Sequence, residues 1–187
     1  MVGALRLPID FDAEALRGDL SQIRAEEWTP HFNRGDYAGD WSGVALRGPA
    51  GASHPILALT AHPGTKEWAD TPLLERCAYF RHVLSRFQCP LQSVRLLRLA
   101  PGSVILEHFD PDLGLEDGEV RLHVPIATSP DVEFVLDRVR IPLRAGETWY
   151  LDVRRPHAVA NRSGEYRVHL VADCAVNPWL ESMIGAP

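Results

Sequence analysis

The second half of the chain is a succession of short strand-like segments separated by turn signals, and this pattern restricts the fold more than any other feature. The segments after Pro90 read QSVRLLRL, SVILEHFD, EVRLHVPIA, VEFVLD, ETWYLD, HAVAN and YRVHLVADC. The breaks between them are rich in Gly, Pro, Asp and Ser, as in PGS, PDLGLEDG, TSPD, RAG and RSG. Short strands at such regular spacing are typical of an all-β sandwich or a small barrel.

The first 90 residues carry mainly helical patterns, with one short strand, SGVALR, between them. The segment FDAEALRGDLSQI has apolar residues at helical spacing and Asp12 as a candidate N-cap. TPLLERCAYFRHVLSRF, residues 71–87, is the clearest helix. We predict one structural unit over residues 1–187, with a helical and mixed support region at 1–90 and a β core at 91–180.

Composition and charge exclude several classes of protein. The 187-residue chain is 45% hydrophobic, enough to bury a core, and its net charge of −6 argues against non-specific binding to nucleic acid. No apolar run reaches the ~18 residues of a membrane span, so no membrane partner is expected. The N-terminal segment lacks the pattern of a secretory signal, and the three cysteines include no Cys-x-x-Cys pair. We therefore expect a cytoplasmic protein with reduced cysteines.

Two histidines and an aspartate have the spacing of a metal site. His108 and Asp110 are two residues apart, so in a strand their side chains point to the same face. His157 follows a proline farther along the chain, and two histidines with one carboxylate on a β scaffold form the facial triad of non-haem Fe(II) oxygenases. Three protein ligands leave positions open for a co-substrate and dioxygen. The alternative is that these are ordinary surface and turn residues, and spacing alone does not decide.

Several basic residues alternate with apolar ones in the predicted strands. Arg121 and His123 share one face of EVRLHVPIA, and Arg95 is the candidate from QSVRLLRL for a polar lumen. Arg167 follows the strand of His157 after a short turn, so we expect it beside His157 in the same sheet. There its guanidinium could hold a carboxylate through two hydrogen bonds. A surface arginine on an edge strand is the alternative.

Six motifs lie between roughly residues 36 and 180, and they read G-D-W-S, L-R-L-x-P-G-S-x-x-x-E-H-x-D, R-L-H-V-P-I, G-E-T-W-Y-L-D, P-H-x-V-x-N and R-V-H-L-V-A-D. Together they resemble the aspartyl/asparaginyl β-hydroxylase family of Fe(II)- and 2-oxoglutarate-dependent dioxygenases. Because it carries a carboxylate at Asp110, the chain is similar to the bacterial branch of that family, which includes proline cis-hydroxylases.

The resemblance implies a fold, a reaction and a role for each candidate residue. The fold is mainly β, a double-stranded β-helix of the jelly-roll or cupin-like type, with N-terminal flanking helices. The reaction is hydroxylation, by dioxygen, of an unactivated C–H bond in an amino acid or in an Asp or Asn residue of a peptide. Fe(II) would be bound by His108, Asp110 and His157, and 2-oxoglutarate by Arg167 and His123. The residues implied to face the substrate are Arg121, Arg95 and Trp41.

Departures from the family pattern affect what can be expected of the substrate and of the co-substrate contact, and two other functions also stay open. Animal-type members lack the carboxylate of Asp110, and Leu97 stands where they carry a serine that contacts 2-oxoglutarate. The alternatives are a cupin-like metalloenzyme that does not use 2-oxoglutarate and a non-enzymatic jelly-roll module that binds an anionic ligand. The loops GPAGASHP and PDLGLEDG are candidate lids over the site.

Overall fold

The computed structural model describes residues 3–60 and 65–185, which are mainly β. Within these residues the α-helices are α1 (Ala13–Leu20), α2 (Pro55–Leu59), α3 (Pro72–Arg76), α4 (Ala78–Ser85) and α5 (Pro178–Ile184). The strands are β1 (Ala4–Asp10), β2 (Thr29–Pro30), β3 (Tyr37–Ala38), β4 (Trp41–Pro49), β5 (Trp68–Asp70), β6 (Leu91–Leu99), β7 (Val104–His108), β8 (Glu119–Ala127), β9 (Val132–Leu136), β10 (Val139–Arg140), β11 (Glu147–Leu151), β12 (His157–Asn161) and β13 (Arg167–Ala175).

The strands form two antiparallel sheets. The larger sheet has the order β1-β11-β8-β13-β6-β4-β2, with β5 paired to β4, and the smaller one has the order β10-β9-β12-β7-β3. Buried apolar residues from both sheets meet in one cluster, to which Leu99 and Leu151 contribute from the larger sheet and Ile105 and Val159 from the smaller. This arrangement confirms the predicted jelly-roll fold.

Alternation along β13 shows how the larger sheet divides its two faces. Every second side chain belongs to the apolar cluster shared with the helices, and these residues are Val168, Leu170, Ala172 and Cys174. The residues between them are Arg167, His169, Val171 and Asp173, all buried and directed to the other face. One strand thus supplies apolar packing outside and polar side chains inside the jelly roll.

Helices α1, α3, α4 and α5 pack on the outer face of the larger sheet, whereas Leu59 of α2 lines the cavity instead. The carboxylate of Asp12 caps α1 by accepting hydrogen bonds from the backbone N–H groups of Glu14 and Ala15, at 2.8 and 3.1 Å. The helix predicted at 71–87 is two helices, because the backbone of Cys77 leaves the helical region with φ −109° and ψ 81°. The break lets the apolar residues of both α3 and α4 reach the core that surrounds the fully buried Cys77.

Two sequence-based expectations about strands need correction. Arg167 does not lie beside His157 in one sheet, because β12 pairs with β7 and β9 whereas β13 pairs with β6 and β8. The short segment between these strands carries the chain from the smaller sheet to the larger one, so the two residues face each other across the interior. Strand β1, which sequence analysis missed, pairs with β11 at the edge of the larger sheet.

The division into a support region at 1–90 and a core at 91–180 stays a prediction. Strand β4, from the first part, pairs with β6 from the second over most of its length. Within the residues that the structure describes, no helix has the length and apolar character needed to cross a bilayer.

Candidate active site

A cavity of about 280 Å³ opens between the two sheets. All eight residues singled out from the sequence line it, namely Trp41, Arg95, His108, Asp110, Arg121, His123, His157 and Arg167. Neither loop predicted as a lid contributes to its lining. Residues 31–36 and 59–60 contribute instead, through side chains that include His31, Phe32 and Asp36.

The two histidines and the aspartate come together at one point of the cavity. Strands β7 and β12 are adjacent in the smaller sheet, and His108 and His157 are register partners with ring centroids 4.2 Å apart. Asp110 lies just beyond the end of β7, where its backbone N–H donates to the carbonyl of Val153 at 2.9 Å. One ligand atom from each of the three side chains lies within 4.8 Å of the others.

Backbone carbonyls fix the orientation of both imidazoles. Nδ1 of His108 lies 2.8 Å from the carbonyl oxygen of Leu106, and Nδ1 of His157 lies 3.0 Å from that of Arg155. A carbonyl can only accept, so each Nδ1 carries the proton and each Nε2 keeps a free lone pair. Burial also lowers the pKa of His157, which favours the neutral ring that a metal needs.

Arg121 and Asp173 support Asp110 from the opposite sheet. Nη1 of Arg121 donates a hydrogen bond to Oδ2 of Asp110. Burial acts to raise the pKa of Asp110, but the positive charge of Arg121 outweighs burial and the pKa is lowered. The carboxyl is therefore ionised at neutral pH, as a metal ligand must be.

Arg167 is a buried cation with no carboxylate bonded to it in the described part of the chain. Its Nη2 lies 2.7 Å from Nδ1 of His169, and its Nε has no hydrogen-bond partner. Burial lowers the pKa of Arg167 to about 9. Burial and the charge of Arg167 hold the pKa values of His123 and His169 well below the usual range, so both rings are neutral. Uncompensated buried charge is costly, and an anionic ligand would relieve that cost.

The remaining wall combines Arg95 with aromatic rings. Nη1 of Arg95 donates to Ser93 and to Asp173, each at 2.8 Å. The ring of Trp41 stacks on His31 with centroids 3.6 Å apart, and the indole Nε1 is buried without a hydrogen-bond partner. This wall therefore combines stacked rings with the guanidinium of Arg95 and the unpartnered indole N–H of Trp41.

Sequence analysis missed three residues of the site. His169 and Asp173 follow Arg167 at even spacing in R-V-H-L-V-A-D, so strand alternation could have placed all three on one face. His31 had no such signal, because it lies in an irregular segment ahead of β3, although its ring lines the cavity and stacks on Trp41.

The donor set fits a divalent first-row metal ion. Two neutral imidazole nitrogens and one carboxylate oxygen, without thiolate, are the ligands of non-haem Fe(II) sites that leave coordination positions open. The fixed tautomers and the arginine on the carboxylate are the kind of outer contacts that orient such ligands. The residues present therefore suit Fe(II).

The fold and this cluster define a class, that of double-stranded β-helix proteins with a candidate metal centre in the lumen. The sequence profile of the Aspartyl/Asparaginyl beta-hydroxylase family matches residues 10–176, so the chain belongs to that family. The resemblance inferred from the motifs is thereby confirmed.

Individual proteins similar to this chain agree with that assignment. The L-proline cis-4-hydroxylase of Rhizobium meliloti (strain 1021) is 26% identical over 179 residues, or 94% of this chain and 62% of that protein. The chain thus spans less than two thirds of the length of this curated relative.

Solved structures share the fold at low sequence identity. An oxidoreductase of the 2OG-Fe(II) oxygenase family from Burkholderia pseudomallei superposes with a TM-score of 0.61 and 15% identity, covering 94% of this chain and 88% of that one. HygX from Streptomyces hygroscopicus, solved with nickel and 2-oxoglutarate bound, superposes with a TM-score of 0.54 and 14% identity, covering 94% and 84%. At such identities the likeness establishes the jelly-roll fold.

Proposed function

We propose that this protein is an Fe(II)- and 2-oxoglutarate-dependent dioxygenase that hydroxylates an unactivated C–H bond of a small amino acid. The observation that carries the proposal is that one cavity holds both a His–Asp–His cluster and Arg167, a buried cation with no carboxylate bonded to it among the described residues. The cluster suits Fe(II), and the arginine suits the distal carboxylate of 2-oxoglutarate. Membership of the family supports the same reaction.

The chain's own residues would supply the metal ligands and exclude water from around them. His108 and His157 present Nε2 lone pairs, and Asp110 presents an ionised carboxylate. Fe(II), when bound, supplies the reaction in which dioxygen oxidises 2-oxoglutarate to succinate and carbon dioxide and gives its second oxygen atom to the C–H bond. Phe134 stacks on His157 at 6.1 Å between centroids and, with Val159 and Ile105, gives this part of the cavity an apolar wall.

The co-substrate would lie between the cluster and Arg167. The guanidinium of Arg167 would bind the distal carboxylate, and its Nε, which has no hydrogen-bond partner, is one donor available for that carboxylate. Both ring nitrogens of His123 are buried without partners, so this neutral ring can donate one further hydrogen bond to the same carboxylate. Leu97, which also lines the cavity, can only contact the co-substrate through its apolar surface.

Charge and size favour a free amino acid as the substrate. In the interior, the two negative charges of Asp110 and Asp173 balance the two positive charges of Arg121 and Arg95. The charges of Fe(II), Arg167 and dianionic 2-oxoglutarate then add up to one net positive charge. A substrate carboxylate near Arg95 would neutralise it, and Asp36 at the mouth can accept a hydrogen bond from an ammonium group. A volume of about 280 Å³ lies at the lower end for ligand pockets and leaves little room for a peptide beside the co-substrate.

The test is product formation by the whole chain. With Fe(II), 2-oxoglutarate and air, we expect slow succinate formation without substrate, and faster formation with one member of a panel of free amino acids, proline included. Mass spectrometry should show that this amino acid gains one oxygen atom. If no succinate forms in any mixture while the protein binds Fe(II), the 2-oxoglutarate reaction is wrong and a cupin-like metalloenzyme is the better interpretation.

A second prediction concerns His169, which acts through Arg167. His169→Ala removes the acceptor that holds Nη2, so we expect the KM for 2-oxoglutarate to rise about fivefold, the effect of roughly 1 kcal/mol for one hydrogen bond. His169→Asn, whose amide oxygen can accept the same bond, should recover most of the affinity. Metal affinity should not change in either variant. Equal KM values in the parent and His169→Ala would show that Arg167 needs no such support.

The two alternative functions explain less of the site. A cupin-like enzyme without 2-oxoglutarate gives no role to Arg167, and a binding module gives no role to the His–Asp–His cluster. We also propose that the protein acts in the cytoplasm, which agrees with the free thiols of Cys77, Cys89 and Cys174.

A further inference from the structure

Asp173 is a buried carboxylate in the site, and the proposed reaction does not assign it a role in binding or catalysis. Its side chain is only 4% exposed, yet it lines the cavity and bonds to two arginines. It sits directly opposite Arg121 in the register of β8 and β13. Burial acts to raise its pKa, but Arg121 and Arg95 outweigh this and lower it well below the usual range, so Asp173 is an anion.

The contact between Asp173 and Arg121 fixes the guanidinium plane. Nε of Arg121 donates to Oδ1 of Asp173 at 2.6 Å, and Nη2 donates to Oδ2 at 3.1 Å. Two parallel hydrogen bonds between planar groups define an orientation that a single bond would not. The remaining nitrogen, Nη1, then points at Asp110 and donates to its Oδ2.

Asp110 depends on this contact for its position. It lies beyond the end of β7 and its side chain is 32% exposed, so the strand itself does not hold the carboxylate. Among the described residues, Arg121 is the one that hydrogen bonds to that carboxylate. With Oδ2 engaged, the other oxygen stays available to a metal ion held in the cluster with His108 and His157.

We propose that Asp173 is a positioning residue for the metal centre, which acts through Arg121 to orient the carboxylate of Asp110 toward the two histidines. The inference rests on the proposed function in one respect, that the His–Asp–His cluster binds a divalent metal. Asp173 is not a member of the His–Asp–His cluster, and Arg121 is the side chain that bonds to both Asp173 and Asp110, so the influence of Asp173 passes from the larger sheet to the smaller one through Arg121. Groups of this kind typically change metal affinity by about 10- to 100-fold.

The experiment measures Co(II) binding to the full chain without co-substrate, by titration and by the visible absorption bands that report coordination. Asp173→Asn should weaken Co(II) binding about 10- to 100-fold and change the band shape. Because this variant leaves two buried guanidinium groups less compensated, it could fold poorly. Arg121→Lys provides a second route, since it keeps the charge but loses the two-point contact, and should weaken binding in the same way.

Two controls separate positioning from a general structural or electrostatic effect. Arg95→Gln breaks the other contact of Asp173 but leaves Arg121 in place, so Co(II) affinity should equal or exceed that of the parent. In an Asp110→Ala background, Asp173→Asn should change affinity less than about twofold, because the group it positions is gone. A repulsive field from unbalanced arginines would still act in that background.

The outcomes distinguish this inference from the proposed function. If the parent chain does not bind Co(II), the metal site and the inference both fail. If the parent binds Co(II) and both Asp173→Asn and Arg121→Lys bind it equally well, the metal site stands and the role of Asp173 is wrong. The same conclusion follows if Asp173→Asn weakens binding as much in the Asp110→Ala background as in the parent.

Discussion

Replacement of His157 with alanine should abolish Fe(II)-dependent hydroxylation and weaken metal binding by more than about 100-fold. Changes to residues that only touch metal ligands already cost about 10- to 100-fold, and His157 would supply one of only two nitrogen ligands. His108→Ala should have the same effect, since the two rings are register partners at one site. The measurement is calorimetric titration with Mn(II), which avoids oxidation of the metal.

The matched control is His82→Ala. His82 is exposed on α4 and does not line the cavity, so this variant should bind Mn(II) like the parent. Asp110→Ala should lose most of the affinity but retain weak binding through the two histidines. If His157→Ala bound Mn(II) as tightly as the parent, the assignment of the cluster as a metal site would be wrong.

The sequence predicts eight of the 13 strands in the described residues, because these segments alternate and are bounded by turn residues, but it misses β1, β2, β3, β5 and β10. EVRLHVPIA and HAVAN coincide with β8 and β12, and the other segments differ from the observed strands by a residue or two at their ends. What the local pattern cannot give is the sheet to which each strand belongs. RSG between β12 and β13 reads as a hairpin turn, but in a jelly roll the chain changes sheets there.

The same limit applies to the site. Strand alternation correctly places Arg121 and His123 on one face of β8, whereas β7 ends at His108 and Asp110 follows it outside the strand. The meeting of His108 with His157 is a matter of strand pairing, and that of Arg121 with Asp110 is a contact across the interior; neither follows from spacing. The substrate contact that the resemblance implies for Arg121 stays a prediction, while in the structure its hydrogen bonds go to Asp110 and Asp173.

Arg167→Ala should raise the apparent dissociation constant for 2-oxoglutarate at least tenfold while the metal site stays intact. The guanidinium is buried with no carboxylate bonded to it among the described residues, so a bound carboxylate would form a charge pair largely shielded from water. Removing one partner of such a pair costs roughly 2–5 kcal/mol. That corresponds to roughly 30-fold to several thousand-fold in binding. The measurement is anaerobic titration of the Fe(II) protein with 2-oxoglutarate, followed by its metal-to-ligand absorption band.

Variants of graded chemistry make the assignment specific to the distal carboxylate. Arg167→Lys should lie between parent and alanine, because an ammonium keeps the charge but not the planar pair of donors. Arg98→Ala is the matched control, since Arg98 lies between Trp28 and Tyr166 and does not line the cavity. A 2-oxo acid without the distal carboxylate should bind parent and Arg167→Ala equally. If a folded Arg167→Ala protein bound 2-oxoglutarate normally, Arg167 would not be the residue that binds its distal carboxylate. The main argument for a 2-oxoglutarate enzyme rather than a cupin-like metalloenzyme would then be lost.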